Sequence, residues 1–297
     1  MDSPAVRKRL TFAIILTFLV LCAEAIGGIL ANSLALISDA AHMFGDVFAL
    51  CLSLFALKIA HSPSTNTKTF GLHRVEIFAA FINGVLLFLM AGWIVYESIE
   101  RFQNPQAVDS LTVIIIATIG LATNCGVLYF FRDPAMHSHD LNMKSAFFHV
   151  LGDMLASIGV IVGAVTMMFT GWYIIDPVLS VGIALILVWG AKTVLADSLH
   201  ILLEGVPKGI CVAEVERELT AIPAIREIHE LHIWSICSNI YALSTHALVN
   251  DQKVNQVESV LTEIQELLKN KFNITHSTVQ FESRPCQEGE VLCEINH

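Results

Sequence analysis

Residues 34–60 read LALISDAAHMFGDVFALCLSLFALKIA. A run this long and this apolar suits a bilayer, whose hydrocarbon core of about 30 Å takes about 20 residues of helix. Helix is the required form, because lipid offers the backbone no other hydrogen-bond partner. Yet the run contains Asp39, His42 and Asp46. A charge at mid-membrane costs at least about 2.5–3.5 kcal/mol, so such residues are functional candidates by default. His42 and Asp46 stand four apart, which places them one turn apart on a single helix face.

The same couple recurs in the apolar stretch Ala146–Thr170, as His149 and Asp153. Two such helices face to face unite two imidazoles and two carboxylates. Four N/O ligands of this kind suit a tetrahedral divalent ion, Zn²⁺ above all. No Cys joins them, which weighs against a soft thiophilic ion such as Cu⁺. Either couple alone reads as an ordinary internal helical pair; two of them, both inside apolar spans, favour a shared ligand set. Asp39 lies three residues before His42 on nearly the same face and is a candidate for orienting an imidazole N–H from outside the ligand set. Glu24 and Asp176 are weaker candidates, and Asp176, directly before Pro177, also fits the N-cap of a helix. Asn124 fits a hydrogen bond between helices.

Outward from these motifs, the rest of the chain agrees with a membrane protein. Of 297 residues, 55% are hydrophobic and 15% charged, against about 25% charged in soluble domains; the mean hydropathy is +0.65. Six stretches are long enough to span, namely Leu10–Ala31, Leu34–Ala60, Ile77–Tyr96, Ser110–Phe131, Ala146–Thr170 and Trp172–Leu195. The first follows Arg7, Lys8 and Arg9 as a signal peptide would, but it is long, carries Glu24 and runs straight into another span. A net charge of -10 makes the chain a poor nucleic-acid binder, since phosphate contact needs clustered Lys and Arg. The seven Cys are scattered and form no disulfide framework.

Lys and Arg set the orientation. With the N-terminus inside, the inner segments hold Arg7, Lys8, Arg9, Lys58, Lys68, Arg74, Arg132, Lys144, Lys192 and Lys208, and the outer connections hold Arg101 alone. Both termini are therefore expected in the cytoplasm. The apolar runs stop near Leu203, and residues 201–297 carry 14 acidic against 7 basic residues. The expected division is a six-span domain, 1–203, and a cytoplasmic domain, 204–297. Within the latter, Val212–Ile222 and Lys253–Phe272 show helical spacing, and Ile225–Trp234, Tyr241–Val249 and Ser277–Phe281 read as strands. The order αββαβ predicts a small α+β domain.

The paired couples, six spans and acidic tail resemble the cation diffusion facilitator family. The strings Asn32–His42 (NSLALISDAAH), Phe70–Glu76 (FGLHRVE) and His229–Trp234 (HELHIW) carry the resemblance, which covers nearly the whole chain and is closest to the zinc-transporter branch. The resemblance implies a homodimer that exports Zn²⁺, with Cd²⁺ and Co²⁺ as further cargo, in exchange for H⁺ by alternating access. His42, Asp46, His149 and Asp153 are then the transport site, and His at position 42 looks like the zinc-selective form. Imidazole titrates near 6.5, so protons and metal compete for it at physiological pH. The resemblance also implies a metallochaperone-like tail that dimerises and holds regulatory Zn²⁺ at His229, His246 and Glu282, with His232 and His276 nearby. Cys286 and Cys293 follow; their separation exceeds the usual Cys-x-x-Cys, so joint coordination stays open. No organic cofactor is expected.

This sequence departs from the family pattern in its short loop between the fourth and fifth spans, which has only His137 and His139. It departs also in the stretch His61 to His73, which lacks the metal-binding cluster of some bacterial members, and in having no His-Cys-His string at the N-terminus. The short loop and the missing N-terminal extension lean toward a bacterial inner membrane rather than a eukaryotic organelle or plasma membrane. The competing readings are an intramembrane zinc hydrolase, a non-transporting metal-sensing partner and a channel. The hydrolase lacks a His-Glu-x-x-His or a nucleophile paired to a base, and the partner would have lost one of the four ligands.

Overall fold

The computed structural model describes residues 4–60, 65–130, 141–238, 240–250 and 254–283, with side chains at 15–49, 51–52, 65–126, 151–238, 240–250 and 257–283. Six long helices come first: α1 (Pro4–Leu30), α2 (Leu34–Ala60), α3 (Arg74–Gln103), α4 (Ser110–Phe130), α5 (Leu141–Thr170) and α6 (Ile175–Leu202). Then follow α7 (Val212–Thr220), β1 (Ile225–Cys237), β2 (Ile240–Val249), α8 (Val254–Phe272) and β3 (Ile274–Glu282). The expected six helices and αββαβ order are both present. Helix α3 outruns its expected span, Ile77–Tyr96, at both ends. Its added turns, from Arg74 and out to Gln103, are polar and do not need to lie in hydrocarbon.

The chain forms two compact units, residues 1–54 with 82–195, and residues 55–81 with 196–297. The first is helical and apolar on both its inside and its outside. Leu89, Leu155, Leu185 and Trp189 are each more than 60% exposed. A helix apolar all round needs either a protein core or a membrane around it. By length and composition, Arg74–Gln103, Leu151–Thr170 and Ile175–Leu202 can each cross a bilayer, while Ile15–Leu30 and Ser110–Gly126 are shorter apolar helices. Many of the buried side chains between the helices are small: Ala31, Ala35, Ala91, Ala117, Ala164, Ala184 and Ala191 are 0–1% exposed. Small residues let helices approach closely where lipid supplies no hydrophobic drive. Gly45 is one such close approach, because a Cβ on it would stand 2.4 Å from Leu87 of α3. The Asn83 side chain on α3 also donates to the Gly45 carbonyl, at 3.4 Å.

One end of this bundle is tied by a buried polar knot. Ser33 caps α2, its hydroxyl accepting from the Leu36 N–H at 3.2 Å. Asp176 lies in the first turn of α6, not at its N-cap, and serves a different helix. Its carboxylate accepts from the Ser33 hydroxyl (2.6 Å) and from the backbone N–H groups of Leu34 (2.7 Å) and Ala35 (3.3 Å). The expectation that Asp176 caps its own helix is thus corrected: Asp176 satisfies the free donors at the start of α2, where a carboxylate also suits the positive end of the helix dipole.

In the second unit, β1 and β2 pair antiparallel and β2 and β3 parallel, in the order β1-β2-β3. A parallel neighbour needs a crossover, and α8 provides it. The core joins Val215 and Leu219 of α7, Ile228, Leu231 and Ile233 of β1, Leu243 and Ala247 of β2, and Ile264 and Leu268 of α8.

Candidate metal centres

The first centre lies in the helical unit. His42 Nε2 stands 3.9 Å from Asp46 Oδ2 on its own helix and 3.3 Å from Asp153 Oδ1 on α5. One ligand atom from each of the three lies within 4.8 Å of the others, so a single ion can take all of them. All three side chains are partly buried, at 22%, 37% and 18% exposure. His149 lies on α5 one turn before Asp153; its side chain falls outside the described residues. Asp39 is buried on α2, with His42, Asp153 and Asp46 as its charged neighbours. Glu24 is also fully buried, on α1, against the bare backbone of Gly120 on α4, where a Cβ would stand 2.5 Å from Glu24 Oε1. Its Oε2 has no hydrogen-bond partner among the described residues.

The second centre lies on the sheet. His229 and His246 are register partners on β1 and β2, and Glu282 ends β3 beside Leu248. His229 Nε2 is 3.2 Å from Glu282 Oε2, and His246 Nδ1 is 3.0 Å from Glu282 Oε1. The two rings meet edge to face with centroids 5.3 Å apart. One ligand atom from each residue again falls within 4.8 Å of the others. Two imidazoles and a carboxylate are a donor set that suits Zn²⁺. His229 is 2% exposed and its Nδ1 has no hydrogen-bond partner among the described residues. Its other nitrogen, Nε2, is the one turned toward Glu282. The residues thus fit such an ion.

Two groups that sequence reading did not single out complete this centre. Gln280 donates its amide to Glu282 Oε1 at 2.8 Å, and Glu230 Oε2 lies 3.3 Å from His246 Nε2. Period-2 spacing on β3 could have found Gln280. His232 and His276 are not drawn in: His232 is exposed opposite Ser244, and His276 packs edge-on to Phe70 at 6.2 Å. Cys286 and Cys293 lie outside the described residues, as do His61, His137 and His139.

The hydrogen bond from Gln280 holds the Glu282 carboxyl below its ordinary 4.5, outweighing desolvation, and the two histidines add to the effect. A carboxylate depressed on folding contributes stability that is full above its unfolded pKa and is lost as pH falls through its native value. Glu282→Gln is therefore expected to remove an acid-sensitive step below about pH 4.5. Hydrogen exchange of β3 in the full-length protein, measured against pH, checks this; an unchanged acid profile refutes it.

An all-helical membrane unit with a cation-sized cluster between two helices, followed by an αββαβ domain with a second cluster, defines an integral membrane protein that handles metal cations. The model described as cation efflux transmembrane domain matches residues 10–203, and that described as cation efflux protein, cytoplasmic domain, matches residues 207–284. The chain belongs to this cation efflux family, also called cation diffusion facilitators, whose members are multi-pass transporters and not enzymes.

Among its relatives, the metal cation efflux system protein CzcD of Cupriavidus metallidurans is 40% identical over 99% of this chain and 93% of its own. The cadmium, cobalt and zinc/H(+)-K(+) antiporter of Bacillus subtilis is 41% identical over 91% of this chain and 88% of its own. The zinc transporter ZitB of Escherichia coli is 34% identical over 97% and 91%. A solved structure, the metal-bound C-terminal domain of the CzcD transporter from Cupriavidus metallidurans, is 41% identical, with a TM-score of 0.23, over 25% of this chain and 99% of its own.

Proposed function

We propose that this protein exports Zn²⁺, with Cd²⁺ and Co²⁺ as secondary cargo, from the cytoplasm in exchange for H⁺. The observation that carries the reading is the convergence of His42, Asp46 and Asp153 from α2 and α5 on one cation-sized point. His149, one turn before Asp153, is the fourth ligand. Two carboxylates offset the charge of the ion, and two imidazoles lose their protons to bind it, so entry of metal expels protons and arrival of protons expels metal. Two arrangements of the helices, open to opposite faces in turn, convert that competition into antiport. The names of the relatives support both the cargo and the counter-ion.

The orientation follows from the Lys and Arg bias: both termini are cytoplasmic, with the domain boundary at 203/204. The bacterial relatives support an inner membrane. The tail pairs with a second copy to make a homodimer, and His229, His246 and Glu282 hold a regulatory Zn²⁺ there, with Cys286 and Cys293 as further candidate ligands. When bound, the ion would offset the charge of the Glu282 carboxylate and be held by the two neutral imidazoles.

Proteoliposomes containing the full-length protein test the reading. Zn²⁺ flux is expected to follow an imposed pH gradient and to reverse with it. Flux indifferent to the gradient indicates a channel, and absence of flux refutes transport. His42→Asp is expected to raise the Cd²⁺/Zn²⁺ flux ratio, because an all-carboxylate partner for His149 tolerates larger ions. An unchanged ratio in the same vesicles would show that position 42 does not select.

A further inference from the structure

Strand β1 breaks its own alternation at the tail centre. Ile228 and Leu231 both lie in the core, 3% and 1% exposed. Residues three apart in an unbroken strand face opposite sides. The break is a bulge. Between the pairs His229↔His246 and His232↔Ser244, β1 places Glu230 and Leu231 opposite the single residue Thr245. Glu230 takes the left-handed conformation, with φ 48. The buried Thr245 hydroxyl then donates to the His229 carbonyl at 3.0 Å, repairing the interrupted ladder.

The result is that two consecutive residues, His229 and Glu230, both reach His246. His229 meets it edge to face, and Glu230 Oε2 lies 3.3 Å from its Nε2. On the other side of the same ring, Nδ1 faces Glu282 Oε1 at 3.0 Å. Left-handed bulge positions are the natural place for Gly, which has no Cβ to strain. A glutamate there is costly and persists where the strain serves a site.

We propose that the bulge exists to seat Glu230 behind His246, and that Glu230 is a positioning residue of the tail metal centre. An ionised carboxylate only accepts hydrogen bonds, and a neutral imidazole carries one N–H. With Nδ1 given to a metal beside Glu282, the ring's one N–H is on Nε2, where Glu230 is placed to accept it. This is the carboxylate–histidine–metal arrangement, in which the outer carboxylate fixes the ring and its tautomer. The inference rests on the reading of His229, His246 and Glu282 as a metal site.

The test uses full-length protein carrying His42→Ala and Asp153→Ala, so that the transport site does not contribute, with Co²⁺ as a spectroscopic probe and Zn²⁺ in competition. In this background Glu230→Gly is expected to keep or raise the metal-free melting temperature, since glycine accepts φ 48. It is expected also to weaken Co²⁺ and Zn²⁺ binding by about 10–100-fold. Glu230→Gln, which keeps the length but not the charge, should fall between. Unchanged affinity in both variants overturns the proposal. So does a fall in the metal-free melting temperature of Glu230→Gly, which would make the bulge residue structural, and so does loss of a ligand from the Co²⁺ spectrum, which would make Glu230 a direct ligand. Glu282→Ala in the same background reads the underlying site separately. If it leaves Co²⁺ affinity intact, the tail centre itself is refuted, whatever Glu230 does.

Discussion

Asp153→Ala is expected to abolish Zn²⁺ flux in proteoliposomes while the protein still purifies as a folded species, and Asp46→Ala is expected to do the same. Asp153 is the proposed ligand from α5, and its Oδ1 lies 3.3 Å from His42 Nε2. Its removal takes away one of the two carboxylates that offset a doubly charged ion. Even an outer carboxylate behind a ligand typically costs 10–100-fold in metal affinity, so the loss of a ligand exceeds about 100-fold. Stability should move the other way, because an ionisable group among apolar helices is expensive and alanine there is not. A dead transporter that is also more heat-resistant is the expected signature. Asp153→Asn separates shape from charge: it keeps the volume, and flux should still fail. Wild-type flux in either alanine variant would sink the site assignment.

The centre between α2 and α5 was legible because its signal is local. His42/Asp46 and His149/Asp153 are each spaced at one helical turn, and their apolar surroundings make charge conspicuous. The tail centre needed the family resemblance, since strand residues show their partners only through register, and the partners of His229 lie 17 and 53 positions away. The bulge escaped altogether. Its trace in the sequence is Ile228-His229-Glu230-Leu231, where apolar residues stand three apart in a stretch that otherwise reads as strand. Such a parity break also fits a turn of helix, and only pairing with Thr245 decides it. Asp176 misled for the opposite reason. Beside Pro177 it has a complete local explanation as a cap, yet its carboxylate acts on Ser33, Leu34 and Ala35, over 140 positions away.

That long-range role makes Asp176 the most consequential structural position. Its carboxylate accepts three hydrogen bonds at the start of α2 and lies 3.7 Å from Arg101 Nη1. Arg101 in turn donates to the Asn32 carbonyl at 2.7 Å, to Asn32 Oδ1 at 3.1 Å and to Glu97 at 3.0 Å. Asn32 itself is left-handed, with φ 54, in the tight connection between α1 and α2. One carboxylate thus ties α6 to α2, and through Arg101 ties both to α3.

Asp176→Ala removes that tie while Arg101 and the first N–H groups of α2 stay buried. Breaking a buried pair from one side costs up to about 3–5 kcal/mol; Arg101 keeps Glu97 at 3.0 Å, so much of the cost here comes from the buried N–H groups of α2 left without an acceptor. Asp176→Asn keeps one accepting oxygen for the helix start and should cost less, whereas Asp176→Ala with Arg101→Leu removes both charges and should recover part of the loss. Thermal unfolding of the purified full-length protein in detergent measures the series. The expected order of midpoints is wild type, Asn, the double variant, then Ala; an Ala variant as heat-resistant as wild type refutes the knot. Zn²⁺ flux distinguishes this damage from loss of a ligand. Helix α2 carries His42 and Asp46, so loosening its start slows transport as temperature rises, but the ion still meets an intact ligand set and the Cd²⁺/Zn²⁺ ratio should not change. Asp153→Ala reverses that pattern, losing flux at every temperature while gaining heat resistance. The two carboxylates, one proposed to hold the ion and one holding the helix that presents it, are told apart by that crossing.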